Sequence, residues 1–208
     1  MEQTKGLSKT RYYNNLNFSA NLANHYFREI KTAKRILDIG CGVGDFGRLK
    51  PTADIDVFGV DCDISALKIA ENYEKVELVD LENSNLPYEN GFFDAILAKD
   101  ILEHIYRPWL LVKEMHRVLN INGIAIVNVP MPKPNIVWDD YTHIRGFTKA
   151  SLKTLFEDYG FEIEYIKDMG DVPLFGKFGL IEQVPYILRI SFFNYLFGRT
   201  YEMKAKKL

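Results

Sequence analysis

Three glycines at alternate positions, Gly40, Gly42 and Gly44, follow a short apolar run that carries one acid, Asp38. The stretch 35–47, RILDIGCGVGDFG, reads as a buried strand entering a loop with no side chains to hold a ligand off. Backbone amides of such a loop, with a helix N-terminus behind them, can lie directly against a nucleotide-like cofactor. About 20 residues beyond the glycines, the run DVFGVD ends in Asp61, where a carboxylate can accept hydrogen bonds from both hydroxyls of a ribose. The competing role, capping the helix that follows, falls to Asp63 or Ser65. Asp80 and Leu81 close a third strand-like run. An acid there can receive the amino group of adenine while its neighbour holds the ring. Glu82 could serve instead, and Asp80 could be an ordinary turn residue.

Two later stretches carry groups suited to proton transfer. Asp100, Glu103 and His104 follow a fourth strand-like run. The loop after the fifth, 130–148, PMPKPNIVWDDYTHIRGFT, combines aromatic, acidic and basic residues, and loops of this length in a small domain are often functional. A hydroxyl acting as nucleophile needs a base, and histidine suits neutral pH. His143 is the first candidate. His104, with Asp100 beside it, is the second, set against a structural role at the start of a helix. Arg145 can hold an acidic group or tie the loop to Asp139 or Asp140. Those aspartates with His143 lack a diagnostic ligand spacing, so no metal is assigned. Cys41 and Cys62 flank the proposed cofactor loops and read as small packing residues, because no second Cys/His cluster completes a ligand set.

These groups need a scaffold that gathers strand ends. Strand-like runs at 36–39, 55–60, 76–79, 93–98 and 124–129 alternate with helical runs at 65–72, 108–119 and 151–159, and a further strand-like run follows at 161–167. A helical stretch at 10–31 comes before them all. This rhythm argues for a mostly parallel sheet with helices on both faces, whose ligands bind beyond the carboxyl ends of the strands. A chain of 208 residues suits one domain, and its net charge of −2 leaves no footprint for nucleic acid. The basic end KAKKL is too short to change that. Two cysteines and no signal-peptide pattern point to a reducing, cytoplasmic setting. No apolar run approaches the ~20 residues of a membrane span. The aromatic-rich stretch 172–198 is broken by Lys177, Glu182 and Arg189. It can pack as a capping helix, cover a lipophilic acceptor, form a dimer surface or rest on a membrane interface.

Gly42, Gly44 and Gly47 also fit G-x-G-x-x-G, so an NAD(P)-dependent oxidoreductase is a rival, though a lone match is weak. The pieces ILDIGCGVG, GVD, LPYENGFFD, LEHI, EMHRVLNINGIAIV and THIRGFTKASLKTLFEDYGFEI, in that order across 35–167, closely resemble the class I S-adenosylmethionine-dependent methyltransferases. The narrower likeness is to the broad group of quinone-biosynthesis and glycan-cluster enzymes. The resemblance implies a Rossmann-like, doubly wound α/β sheet of seven mostly parallel strands. Its last strand, 200–206, would be antiparallel in a hairpin with the sixth.

The resemblance also implies Asp38, Gly40 and Gly42 at the methionine end of the cofactor, Asp61 at the ribose and Asp80–Leu81 at the adenine. Cys41, Gly44, Cys62 and Lys99 complete the cofactor set, and Tyr12 and Tyr13 lie in a leading helix that can close over it as a lid or pack as an ordinary amphipathic face. A single domain would then divide into a helical lid (1–33), a cofactor-binding core (34–170), an apolar insertion (171–198) and a last strand with its tail (199–208). S-adenosylmethionine has no diphosphate, which suits an acid as near the glycines as Asp38. The expected reaction is methyl transfer to a small-molecule acceptor, lipophilic or sugar-linked, at oxygen, by a monomer or homodimer. A cofactor-binding protein without turnover is the second rival.

Overall fold

The apolar runs become the seven strands of one sheet in a computed structural model that describes residues 19–169 and 199–208. The strands are β1 (Arg35–Ile39), β2 (Asp56–Asp61), β3 (Lys75–Leu78), β4 (Phe93–Lys99), β5 (Leu119–Pro130), β6 (Phe161–Met169) and β7 (Thr200–Lys207). Their order is β3-β2-β1-β4-β5-β7-β6. All run in one direction except β7, which lies antiparallel between β5 and β6. The order reverses between β1 and β4, and the crevice beyond their carboxyl ends is where sheets of this kind bind ligands.

Period-two alternation sorts the strand side chains into two cores. Ile36, Val57, Ala95, Leu97 and Ile126 face one layer, which α1 (Ala20–Glu29) covers with Ala23, Tyr26 and Phe27. There Phe27 stacks at 4.5 Å on Phe46 of the short α2 (Asp45–Arg48). Leu37, Ile39, Val60, Ile96, Ala98 and Val127 face the other layer. It lies under Leu111 and Met115 of α4 (Pro108–Val118) and Leu152 and Phe156 of α6 (Lys149–Glu157). Pro108 opens α4 at a position where its missing N–H costs nothing. A capping box opens α6: Ser151 N donates to Thr148 Oγ1 at 3.1 Å, and Thr148 N donates to Ser151 Oγ at 2.9 Å. Helices therefore cover both faces, as the β-α rhythm required.

The structure changes four boundaries. The helix expected over 65–72 is a single turn, α3 (Ile64–Leu67), capped by Asp63, whose Oδ1 accepts from Ser65 N at 2.9 Å. The chain then turns away at Asn72, in the left-handed region with φ 63°. Residues 119–123, expected to end a helix, already belong to β5, because buried Leu119 pairs with Phe93 and an irregularity in the β4–β5 register absorbs the turn. The basic end belongs to the last strand, as expected over 200–206, and extends it by one residue. It completes β7, with Lys204 paired to Glu164 at 3.2 Å and Lys207 Nζ donating to Leu119 O at 2.7 Å. The leading helix observed is α1, capped by Ser19. Tyr12, Tyr13 and the apolar stretch 171–198 lie outside the described residues. Among the described residues, the remaining helix, α5 (Pro134–Val137), sits in the long loop after β5.

Candidate cofactor and acceptor site

Gly40, Gly42 and Gly44 all adopt left-handed backbone, with φ of 75°, 51° and 86°, which explains the alternate glycines directly. A Cβ on Gly40 would lie 2.0 Å from Cδ1 of Ile101, so the chain leaving β4 closes down on this loop. The loop is tied to the end of β2. Gly40 N and Cys41 N both donate to Val60 O, at 2.8 and 3.1 Å. Asp61 accepts from Gly42 N through Oδ2 and from Asp63 N through Oδ1, each at 2.9 Å. Behind the loop, α2 has four residues, so the backbone amides rather than a helix macrodipole must do the binding. Gly47 has a packing explanation. Its Cβ would lie 2.3 Å from the Tyr73 ring, and its N–H donates to Tyr73 OH at 3.1 Å. The third glycine of the dinucleotide pattern is therefore accounted for without a diphosphate.

Tyr73 OH in turn donates to Asp38 Oδ2 at 2.6 Å. Burial still pushes Asp38 up to about 7, against that hydrogen bond and with the Asp61 charge adding to the rise. Burial raises Asp61 as well, moderated by the Asp63 and Gly42 amides. Burial likewise pushes up the Cys41 thiol, whose sulfur fills the space over Gly59. Cys62 is exposed on the loop after β2. Lys99, at the end of β4, is paired with Asp100. A diphosphate would meet two buried acids here, whereas an ammonium and a ribose would satisfy them. The residues present fit S-adenosylmethionine. Asp80 occupies its turn, with Oδ1 accepting from Glu82 N at 3.0 Å and Oδ2 from Asn83 Nδ2 at 2.9 Å. Leu81 packs half-buried against the core beside it.

The other half of the crevice is assembled from the ends of β4 and β5. Asp100 turns the chain with a left-handed φ of 54°, and its N–H donates to Asn128 O at 3.0 Å. The 3-10 turn Leu102–His104 follows. Ile144 N donates to Glu103 O at 3.0 Å, and this bond folds the loop 130–148 over the turn. Glu103, His104 and His143 thereby meet. The two imidazoles contact edge to face at 4.6 Å, and His143 Nε2 lies 3.8 Å from Glu103 Oε1.

Hydrogen bonds set both tautomers. His143 Nδ1 is 2.5 Å from Val137 O and must donate to it. His104 Nδ1 is 3.1 Å from Thr142 Oγ1, whose own proton goes to Asp140 Oδ1 at 2.6 Å, so Nδ1 donates here too. Burial lowers the His104 pKa, with the His143 charge acting in the same direction. Burial pushes Glu103 well above the carboxylate range, and Asp100 adds to it.

His143 thus meets His104, and Asp100 stands just before the turn that carries His104. Arg145 does not tie the loop to Asp139 or Asp140. It donates to Tyr106 O at 2.8 Å, while Asp139 faces Arg199 at 3.8 Å. Sequence reasoning missed Tyr73 and Ile101, and it mentioned Glu103 without a role. It also missed how α1 is fastened to the strand ends. Tyr26 OH donates to Asn128 Oδ1 at 2.9 Å, and His25 Nε2 lies 2.9 and 3.0 Å from the two oxygens of Glu202.

A methyltransferase domain family matches residues 12–166. Among curated relatives, the malonyl-[acyl-carrier protein] O-methyltransferase of Legionella pneumophila is 28% identical over 129 residues, covering 55% of this chain and 45% of the relative. The ubiquinone/menaquinone biosynthesis C-methyltransferase of Coxiella burnetii is 25% identical over 144 residues, covering 64% and 52%. The chain thus spans about half the length of these relatives. A solved S-adenosylmethionine-dependent methyltransferase from Archaeoglobus fulgidus has a TM-score of 0.72 at 22% identity, over 95% of this chain and 99% of that one. The [4+2]-cyclase SpnF shares the fold at a TM-score of 0.68 and 21% identity, over 90% and 81%. The fold by itself therefore names no reaction. The family match, however, spans the strands and loops that build the crevice, and the chain belongs to the class I S-adenosylmethionine-dependent methyltransferases.

Proposed function

We propose that this chain transfers the methyl group of S-adenosylmethionine to an oxygen of a small-molecule acceptor held over Glu103, His104 and His143. The cofactor supplies a methyl on a sulfonium, which already carries a good leaving group, so the protein's main tasks are alignment and exclusion of water. Asp38, Gly40 and Gly42 hold the methionine end and Asp61 the ribose. Cys41, Gly44, Cys62 and Lys99 shape the surrounding wall, and Leu81, with Asp80 closing its turn, borders the adenine. Tyr12 and Tyr13 are assigned to the lid. Ile101 separates the cofactor loop from the acceptor side.

The observation that carries the oxygen assignment is the pair of imidazoles with Nδ1 held as donor. With Nδ1 engaged in this way, the other ring nitrogen is the one left to relieve a hydroxyl of its proton. His143 takes that role, with His104 and Asp100 beside it. One relative is named for an oxygen acceptor and another for carbon, so it is the histidines that favour oxygen. Two free cysteines agree with a reducing cytoplasmic setting, and among the described residues no helix is long and apolar enough to cross a membrane.

The test measures S-adenosylhomocysteine formation over a panel of hydroxylated acceptors, with cofactor affinity measured separately by calorimetry. His143→Ala is expected to abolish turnover while leaving cofactor affinity intact. Full turnover in that variant would remove the base. Tight NAD(P) binding without S-adenosylmethionine binding would overturn the cofactor.

A further inference from the structure

We propose that Glu103, His104 and His143 bind a divalent transition-metal cation of the zinc type. The cation leaves an open position for the acceptor's hydroxyl, and this last clause alone rests on the function proposed above.

One ligand atom from each residue lies within 4.8 Å of the others. A tetrahedral cation with bonds of about 2.0–2.2 Å sets its ligand atoms about 3.3–3.6 Å apart, so the three side chains must close in from 3.8 Å for His143 Nε2 and Glu103 Oε1 and from at most 4.8 Å for the others. What converges here is unusual in kind. Glu103 is fully buried, and among the described residues neither carboxylate oxygen has a hydrogen-bond partner. The neighbouring imidazoles donate outward from Nδ1, to Val137 O and Thr142 Oγ1. Their remaining nitrogens carry lone pairs. At 3.8 Å, Glu103 Oε1 is beyond hydrogen-bond reach of His143 Nε2, so no proton on the acid or the ring is shared between them. A cation satisfies the carboxylate and both lone pairs at once.

The outer contacts fit the same reading. Ligating histidines characteristically give their other N–H to a carbonyl or to a group backed by a carboxylate. Val137 O and the Thr142–Asp140 pair occupy those places. Asp139 and Asp140, the acids next to His143 in the chain, are engaged elsewhere, facing Arg199 and Thr142 respectively. Two imidazoles with one carboxylate favour zinc, cobalt, nickel or iron(II) over magnesium or calcium. Three protein ligands leave a coordination position, the pattern of catalytic rather than structural sites. With the cation bound, the His143 lone pair is a ligand rather than a base, and the cation itself would ease ionisation of an acceptor hydroxyl in place of that base. The proton passes to solvent, the oxygen forms its bond to the methyl carbon, and the carbon–sulfur bond breaks with its electron pair staying on sulfur. No oxidant or reductant is needed.

The experiment titrates the chelator-stripped full chain with Zn2+ and, separately, Mg2+ by calorimetry, with and without S-adenosylhomocysteine. One Zn2+ per chain is expected, bound more tightly than Mg2+. Glu103→Gln and His143→Ala should each weaken Zn2+ by roughly tenfold or more, with S-adenosylhomocysteine affinity unchanged as the sign of an intact fold. If His143→Ala loses that affinity, His143→Gln replaces it. No stoichiometric Zn2+ binding would overturn the proposal, and so would binding undiminished in the variants. Methyl transfer without Zn2+ binding would sink this inference and leave the proposed function standing. Zn2+ binding without methyl transfer to any hydroxyl would do the reverse.

Discussion

Glu202 and Glu103 are both fully buried near the carboxyl ends of the sheet, and the protein treats them in opposite ways. Around Glu202, on β7, stand His25 of α1 at 2.9 Å, Tyr165 at 2.9 Å and Lys167 at 2.8 Å. Burial works to raise its pKa, but His25 and Lys167 outweigh it and hold the carboxyl below its ordinary range. Glu103 has no such company among the described residues, and burial raises it. A buried charge that serves the fold is neutralised by the fold: Glu202 fastens α1 over the end of the sheet. A buried acid left without hydrogen-bond partners beside two oriented imidazoles contradicts local stability, and such contradictions gather at functional sites.

Exchanging each acid for its amide tests this difference most severely. Glu103→Gln should lower turnover by about a hundredfold or more while the melting temperature stays level or rises, because the amide fills the same space and no hydrogen bond is lost with the carboxyl. Glu202→Gln should do the converse. Breaking a buried pair costs about 3–5 kcal/mol, and the partial exposure of Lys167 brings the expected loss to about 2–3 kcal/mol. The pH dependence has a definite sign. Glu202 has a depressed folded pKa, so its contribution is present above the unfolded value of about 4.5 and is lost as pH falls through the folded one. Denaturation of wild type and Glu202→Gln should therefore converge in acid. Turnover lost in Glu202→Gln with stability intact would break the comparison.

The two halves of the crevice also differed in how far they could be read in advance. The cofactor half is coded locally. Gly40, Gly42 and Gly44 must be glycine because the backbone is left-handed at each, and Asp61 ends the next strand within bonding distance of Gly42 N. Strand runs were legible for the same reason, since period-two burial is written residue by residue. The acceptor half is coded by tertiary contacts. LEHI marks a place in the chain, but Glu103 becomes a buried carboxylate only when Ile144 N bonds its carbonyl and the loop folds over it. Tyr73 reaches Asp38 from beyond α3, a placement that no periodicity announces. The helix expected at 65–72 failed there, because the segment leaves the helix after one turn and brings Tyr73 beneath the glycine loop.

Asp61 is a third kind of buried acid, satisfied by backbone alone, and it should respond differently from both glutamates. Asp61→Ala removes the acceptor of Gly42 N and Asp63 N, each worth about 1–3 kcal/mol when left unpaired. Stability and cofactor affinity should fall together, affinity by at least about tenfold, as read by thermal melts and calorimetry. Affinity unchanged with stability lost would move the ribose elsewhere.

The smallest effect, and the one that probes the cofactor half most finely, concerns Asp38. Burial raises its carboxyl to about 7, so part of the free protein carries it protonated near neutrality. A cofactor ammonium beside it favours the ionised form, so binding must release a proton wherever Asp38 is still protonated. By linkage, affinity then rises with pH, at most about tenfold per unit, and levels off once pH exceeds about 7. Between pH 7 and 8 the change is slight; between pH 5.5 and 7 it is measurable. Calorimetry at pH 6.5 in two buffers of different ionisation enthalpy should report the released proton directly. Asp38→Asn keeps an acceptor for Tyr73 OH but cannot ionise, so its affinity should be lower near neutral pH and flat across the range. A wild-type affinity equally flat would mean that the methionine ammonium is held by something other than Asp38.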